Sequence, residues 1–272
     1  MNKSSRLEGK VAIVTGAGSS GSVLGNGKAT ALLFAREGAR VLLVDAVGER
    51  AEETLDMIRE EGGEASVFEG NVTRSEDCLE MVDEAIERYG SLDILHNNVG
   101  ISMKGTVVEV SEKDWDMIMN VNVKSIVLAC RYAVPRMVEF GGGSIITTSS
   151  IAGLRANSTT PYTVSKTAVQ GLTMSMAVDH GRDNIRVNCI APGLAYTSLS
   201  APRMDASLRE HRRQASPLGT EGTAWDVAWA AVYLASDESR WVTGVVLPVD
   251  AGLSITTPST NTPLGQQDYD VF

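Results

Sequence analysis

Cysteine and histidine are scarce, three of each in 272 residues. Cys78, Cys130 and Cys189 are far apart, odd in number and without metal-ligand spacing; His96, His180 and His211 are equally dispersed. This speaks against a disulfide framework, a zinc site or a histidine-centred triad. It predicts buried, reduced thiols in a cytoplasmic protein with no metal. Basic residues are also short: 24 Lys and Arg against 34 Asp and Glu leave a net charge of -10. Nucleic-acid phosphates need clustered Lys and Arg, so no nucleic-acid partner is expected. No apolar run approaches the roughly 20 residues that span a bilayer, and Met1 to Lys10 has no signal-like apolar core, so no membrane is expected. What remains is an ordinary globular composition, 43% hydrophobic and 21% charged, long enough to bury one large core. Repeats, low-complexity tracts and a domain linker are absent.

The organised part begins with Lys10-Val11-Ala12-Ile13-Val14-Thr15, a short β-branched run that reads as a buried strand. A Gly- and Ser-rich loop runs from Gly16 to Gly27. A helix follows from Lys28 to Glu37, then a second strand, Arg40 to Val44, closed by Asp45. Strand, glycine loop, helix, strand and acid is the layout of a dinucleotide-binding βαβ unit. Glycines let the backbone approach a pyrophosphate, and the helix N-terminus offers N–H groups to it. Asp45 can accept both ribose hydroxyls of NAD and repels the 2′-phosphate of NADP; neither Ala46 nor Val47 supplies a cation. NAD is therefore expected in preference to NADP.

The alternation continues. Helices are predicted over Ala51 to Glu61, Ser75 to Tyr89 with Ser75 as cap, Glu112 to Glu139, and Thr223 to Leu234. Strands are predicted over Ala65 to Glu69, Leu92 to Leu95, Ser144 to Thr148, Ile185 to Ile190 and Val245 to Val249. This pattern predicts an α/β fold, a parallel sheet covered by helices on both faces. Gly193 to Thr220 breaks the rhythm, with Pro202, Pro217 and a basic patch at Arg209, Arg212 and Arg213. It reads as an irregular lid. The tail from Thr256 to Phe272 reads as disordered, with packing of Tyr269 and Phe272 on a neighbouring subunit as the alternative.

Pro161-Tyr162-Thr163-Val164-Ser165-Lys166 carries the chemistry. Thr159 or Thr160 can cap a helix here, and Pro161 suits its first turn. Val164, Ala168, Leu172 and Met176 recur at helical spacing. Tyr162 and Lys166, four apart, then share one face. An ammonium beside a phenol lowers the phenol's pKa and makes it an acid or base near neutral pH. Alone, such a pair is more often a surface contact.

Taken with its surroundings the pair is more than that. Thr15-Gly16 with Gly25-Asn26-Gly27, Asn97-Asn98-Val99-Gly100, Asn122, Ser150, Tyr162-x-x-x-Lys166, and Pro192-Gly193 with Thr197 stand in an order that resembles the short-chain dehydrogenases/reductases of single-domain type. The resemblance runs from Leu7 to Gly252. It implies a single dinucleotide-binding oxidoreductase domain over residues 1–272, with a core of 7–252 and a tail of 253–272. It implies a Rossmann-like, doubly wound parallel sheet of seven strands in order 3-2-1-4-5-6-7. It also implies a catalytic tetrad: Tyr162 as general acid/base, Lys166 lowering its pKa and holding the nicotinamide ribose, Ser150 on the substrate oxygen, and Asn122 holding a water on the proton path. Gly16, Ser19, Asn26, Gly27 and Asp45 then belong to the cofactor's phosphate and ribose end. Asn71 and Val72 border the adenine, Asn98 and Gly100 its ribose, and Pro192, Gly193, Ala195 and Thr197 the nicotinamide.

Three departures accompany the resemblance. The glycine loop is longer than the family's, with the extra residues between Ser19 and Gly25 expected to bulge outward, so that Ser19, Ser20 or Ser22 could face the phosphates. Ser150 stands slightly closer to Tyr162 than usual, which keeps Ser149 as a substitute. Asn71 replaces the usual Asp, its amide oxygen still able to face the adenine amino group. The expected activity is interconversion of a small or medium, cyclic secondary alcohol and its ketone, with Leu154 and Tyr196, beside Ser150 and Tyr162, against the substrate. A homotetramer packed through the Glu112–Glu139 and Pro161–Asp179 helices is implied. The rival is a silent NAD-binding regulator of the same fold. An enoyl reductase normally has a wider Tyr–Lys spacing.

Overall fold

Strands covered on both faces must be apolar on both faces, and the first of them is. In the computed structural model, which describes residues 6–156 and 159–256, β1 (Val11–Thr15) is buried along its whole length. It leads through the glycine loop into α1 (Asn26–Arg36), β2 (Arg40–Asp45), α2 (Gly48–Glu60), β3 (Glu64–Glu69), α3 (Ser75–Tyr89) and β4 (Ile94–Asn97). The second half runs α4 (Glu112–Met119), α5 (Ser125–Glu139), β5 (Gly143–Thr148), α6 (Thr160–His180), β6 (Ile185–Pro192), α7 (Ala206–Gln214), α8 (Ala224–Ala235) and β7 (Val246–Val249). The strands pair in parallel in the order β3-β2-β1-β4-β5-β6-β7, the fold expected. Strand order reverses at β1, between β2 and β4. In such sheets the crevice beyond the carboxyl ends of the strands at that point is the binding edge.

Two apolar layers hold the sheet. Phe34, Leu32 and Leu33 of α1, Leu55 and Ile58 of α2, and Val227 and Ala231 of α8 pack on one face. Met81 and Val82 of α3, Ala129 and Ala133 of α5, and Val169 and Met176 of α6 pack on the other. By length and hydropathy the Glu112–Glu139 stretch could cross a bilayer, but half of its apolar window is buried in the protein, as in a core helix. Cys78, Cys130 and Cys189 are buried and unpaired.

Several local expectations need correction. Glu112–Glu139 is not one regular helix: a π-helical turn, Asn120–Lys124, separates α4 from α5. Ser75 does not cap α3. It is the first helical residue, Arg74 holds the cap position, and the Ser75 hydroxyl bonds the Tyr132 hydroxyl at 2.8 Å. The segment 193–220 is not irregular throughout. It contains α7, capped by the Asp205 carboxylate accepting from Leu208 N at 2.8 Å. No residue of α7 is buried, so its sequence has no apolar stripe to reveal it. The inward face of α6 is not the Val164–Ala168–Leu172–Met176 row. Ser165, Lys166, Val169, Gln170, Thr173, Met176 and Ala177 are buried, whereas Val164 is exposed. Tyr269, Phe272 and all of the tail beyond Thr256 lie outside the described residues.

His96, in β4, is fully buried, with Nε2 3.0 Å from Thr148 Oγ1 and Nδ1 unpartnered. Burial pushes its pKa down to about 3. The unfolded chain, with a histidine pKa of about 6.5, binds the proton more readily, so stability from this residue is full above that pH and is lost as pH falls toward 3. The expected slope is about 1.4 kcal/mol per pH unit in that window. Urea unfolding at pH 7 and pH 5 should therefore show a smaller pH dependence for His96→Leu than for the wild type; equal dependence would contradict this account.

Candidate active site

The site is built where β5 ends and α6 begins. Lys166 is 4% exposed, and its Nζ donates to the Thr148 carbonyl at 2.9 Å. A buried ammonium is costly unless hydrogen-bonded, and burial lowers the Lys166 pKa to about 8. Gly100, at the end of the Asn97–Gly100 segment, leaves room for it: a Cβ there would lie 3.0 Å from Lys166 Nζ. Asn122 is fully buried in the π-turn. Its Oδ1 accepts from Ile101 N at 2.8 Å, and its Nδ2 donates to Ile101 O at 3.0 Å and to Ser165 Oγ at 2.9 Å. An inserted π-turn re-aims the residues it carries, here toward the segment after β4 and toward α6.

Tyr162 lies one turn before Lys166, whose Nζ is 5.8 Å from the ring centroid. The expectation of an acidified phenol is corrected in this arrangement. Burial raises the Tyr162 pKa, and a side-chain hydrogen bond with Ser150 offsets only part of that. The ammonium is turned to the Thr148 carbonyl instead. The two serines differ in their contacts. Ser149 is buried; its hydroxyl donates to Lys166 O at 2.7 Å and accepts from Gln170 Nε2 at 3.2 Å, so it is a structural clamp. Ser150, extended at φ -166°, carries its hydroxyl toward Tyr162 and accepts Ala152 N at 3.1 Å. The turn after it presses on α6: a Cβ on Gly153 would lie 2.8 Å from Lys166 C. That close approach holds Ser150 against the Tyr162 helix.

The other edge of the crevice is the glycine loop. Gly16 has φ +65°, and a Cβ on Gly27 would lie 2.0 Å from Gly16 O, so the first turn of α1 sits directly on the loop. Asn26 Oδ1 is buried there without a partner. Asp45 Oδ2 accepts from Gly18 N at 3.0 Å and Oδ1 from Val47 N at 3.1 Å. Asn98 Nδ2 donates to Thr15 O at 3.3 Å and Gly16 O at 3.4 Å, joining β4 to the loop. In the longer part of the loop Ser20, Gly21 and Ser22 are exposed, as expected of an outward bulge. Ser19 is buried and accepts from Gly25 N at 2.7 Å. The loop also reaches the segment after β6, where Leu24 O accepts from Ser198 N at 3.2 Å.

Val72 is buried in the core and Asn71 exposed. The role given to the Asn71 amide oxygen is corrected: it already accepts from Thr73 N at 3.0 Å and Thr73 Oγ1 at 2.8 Å, a local turn that fills both lone pairs. Gly193 N donates to Val249 O at 2.9 Å after Pro192 ends β6. Thr197 is buried, with its N–H on Ser200 Oγ at 2.9 Å; Ser200 Oγ in turn donates to Ala195 O at 3.0 Å. One face of the Tyr196 ring is taken by the Arg209 guanidinium at 3.9 Å. Leu154 is 42% exposed at the end of the turn after Ser150. Sequence reasoning missed Thr148, Ser165 and Gln170. Their signal was polarity at inward positions of β5 and α6, where a core would be apolar.

A family model described as Enoyl-(Acyl carrier protein) reductase matches residues 21–254. The chain is 39% identical to 3-oxoacyl-acyl-carrier-protein reductase FabG of Thermotoga maritima over 92% of this chain and 100% of that protein. It is 36% identical to 7alpha-hydroxysteroid dehydrogenase of Clostridium sardiniense over 93% of this chain and 96% of that protein. A solved structure of a 7 alpha-hydroxysteroid dehydrogenase complexed with NADH and 7-oxo glycochenodeoxycholic acid superposes with a TM-score of 0.86 at 34% identity, covering 93% of this chain and 97% of that one.

The two serines should separate cleanly on substitution. Ser149→Ala removes a buried clamp and should cost on the order of 1 kcal/mol in urea unfolding. Ser150→Ala should leave stability within about 0.5 kcal/mol and lower kcat about 100-fold. A reversed pattern would assign the working hydroxyl to Ser149.

Proposed function

The chain belongs to the short-chain dehydrogenase/reductase family, and from that premise we propose that it is an NAD-dependent oxidoreductase interconverting a secondary alcohol and a ketone. It works as one dinucleotide-binding domain with its core in residues 7–252. The observation that carries the reading is the convergence on one edge of the sheet of Tyr162, the Ser150 side chain that faces it, and the Lys166 ammonium 5.8 Å from its ring. A dinucleotide suits the other side of the same crevice. Gly16 and Gly27 leave the backbone bare, and Asn26 Oδ1 is a buried acceptor lacking a donor. Gly16, Ser19, Asn26 and Gly27 would hold the phosphates and Asp45 the adenosine ribose, with Asn71, Val72, Asn98 and Gly100 bordering the adenosine. Pro192, Gly193, Ala195 and Thr197 would line the nicotinamide end.

The nicotinamide, when bound, supplies or accepts the hydride at the carbinol carbon. The rest is the work of this chain's side chains. Tyr162 gives its phenolic proton to the substrate oxygen in reduction and takes it back in oxidation. Ser150 hydrogen-bonds the same oxygen and holds it against Tyr162. Lys166 would hold the nicotinamide ribose, and Asn122 would hold a water on the path by which the proton leaves. Leu154 and Tyr196 border the substrate. The relatives' printed substrates, a 3-oxoacyl group and a hydroxysteroid, are both secondary alcohol and ketone pairs, which supports the reaction class. Tyr162 and Lys166 are four residues apart on α6, which favours carbonyl reduction over the enoyl reduction in the family model's description. Val127 and Val138 of α5 and Val164, Met174 and Val178 of α6 are exposed apolar residues, which supports pairing of these helices in a homotetramer. A cytoplasmic location fits the three reduced thiols.

Tyr162→Phe should abolish turnover across an alcohol and ketone panel while NAD affinity, read by fluorescence titration, stays within about twofold. Retained turnover would remove Tyr162 from the role. Burial holds Tyr162 above its ordinary pKa, and oxidation needs the deprotonated phenol, so alcohol oxidation should speed up as pH rises from about 7 to 9. A flat profile would argue against it. Asp45→Ala should narrow the NAD-to-NADP ratio of kcat/KM. An unchanged ratio would show that another group enforces the choice, with Arg50, packed against Gly18 beside Asp45, the first to test.

A further inference from the structure

Away from the tetrad a second cavity, about 380 Å³, opens beneath α7, between the segment after β6, the first turn of α8 and the end of β7. None of Asn122, Ser150, Tyr162 or Lys166 lines it. Its walls are largely apolar, with Leu194, Met204, Val227, Leu247 and Leu253 among them. Such a cavity, with a few convergent polar groups, has the size and character of a small-molecule site.

Its charged lining groups are accounted for except one. Arg209 forks onto Glu221 at 2.8 and 2.5 Å, which occupies both carboxylate oxygens. Arg213 forks onto Glu210 at 2.7 and 2.6 Å. Asp226 accepts from Thr223 N and Oγ1 at 2.7 and 2.8 Å. Asp250 accepts from Gly252 N at 3.0 Å and Ser254 N at 2.7 Å. Among the described residues Arg212 meets only the Met204 thioether, at Nη1. Sulfur of that kind is a weak acceptor for a guanidinium with five N–H groups. Burial lowers the Arg212 pKa, and Glu221, already neutralised by Arg209, acts in the other direction. A half-buried guanidinium without an oxygen partner is an expensive group to keep unless an anion completes it.

We propose that this cavity is a binding site for an amphipathic monocarboxylate, its carboxylate on Arg212 and its alkyl part against the apolar wall under α7. The chemistry narrows the class. A phosphate dianion would meet Glu221, Asp226 and Asp250 across a small space, whereas a carboxylate brings half that charge to the one lining guanidinium that has no oxygen partner among the described residues. A fully apolar ligand would leave Arg212 as costly as before. The proposal does not rest on the alcohol–ketone reading, because the site excludes the tetrad and its test needs no turnover.

The test uses sodium octanoate and its uncharged counterpart octanamide, titrated calorimetrically into the full chain. Octanoate should bind, and octanamide should bind at least about tenfold more weakly. Arg212→Gln should weaken octanoate about tenfold and leave octanamide unchanged, with thermal unfolding of the variant checked in parallel. Tyr162→Phe should bind octanoate as the wild type does. Equal binding of acid and amide by the wild type, or no binding of octanoate at millimolar concentration, would overturn the proposal even if the Arg212 variant failed to fold. Loss of octanoate binding in Tyr162→Phe would move the ligand to the tetrad and overturn it as well.

Discussion

The hydrogen bond from Lys166 Nζ to the Thr148 carbonyl, 2.9 Å long, ties the charge of the site to the sheet. An ammonium that is 4% exposed has surrendered most of its hydration, and a neutral carbonyl returns only part of it. That is why its pKa sits near 8. The neighbouring polar groups are correspondingly well tied. Ser149 holds Lys166 O, Gln170 holds Ser149, Asn122 holds Ser165, and Thr173 meets Thr147 at 2.7 Å. Each bond fastens α6 to β5 or to the π-turn, so the helix is registered by polar contacts as well as by packing. A one-residue shift of α6 would break all of them together.

How much of this the sequence made visible depends on which physical quantity decides each feature. The strands were legible because the centres of β1 and β2 are continuous apolar runs, and burial on both faces asks for that. The Tyr162–Lys166 pairing was legible because i to i+4 spacing on a helix is geometry. The state of the phenol was not. Its pKa follows from desolvation and from where the ammonium points, and neither is encoded in spacing. The inward face of α6 was not legible for a related reason: hydropathy finds apolar rows, and this helix turns a partly polar row inward. The π-turn at Asn120–Lys124 leaves no mark in hydropathy, because it shifts the helical phase by one residue within an otherwise regular pattern. The helix α7 was hidden because none of its residues is buried.

The glycine loop shows how a departure in sequence becomes a contact in structure. Its extra residues expose Ser20, Gly21 and Ser22, but the loop returns through Leu24, whose carbonyl takes the Ser198 N–H. Gly25 follows at once, and a side chain there would come within 2.8 Å of Ser198 Oγ. The longer loop therefore bridges to the segment after β6, and at the crossing Gly25 lets the two approach without moving the Ser198 side chain. Two loops from opposite sides of the switch point are joined by backbone, and Thr197, next to the junction, is held in turn by Ser200.

The polar inward row of α6 has a consequence for its other side. Ser165, Lys166, Gln170 and Thr173 occupy positions that would otherwise bury apolar surface. Besides the buried Val169, Met176 and Ala177, the helix carries apolar residues on its outer side, where Val178 is 82% and Met174 50% exposed. α5 turns apolar residues inward, Ala129, Ala133 and Met137, and still leaves Val127 and Val138 facing out beside α6. A helix that spends its inward face on a charge and its ligands gains less from the hydrophobic effect within its own chain. Apolar surface recovers that stabilisation at roughly 25 cal/mol per Å² when covered. The proposed tetramer through α5 and α6 thus answers the same constraint that shapes the site: burying Lys166 leaves these helices with an apolar surface for another copy to cover.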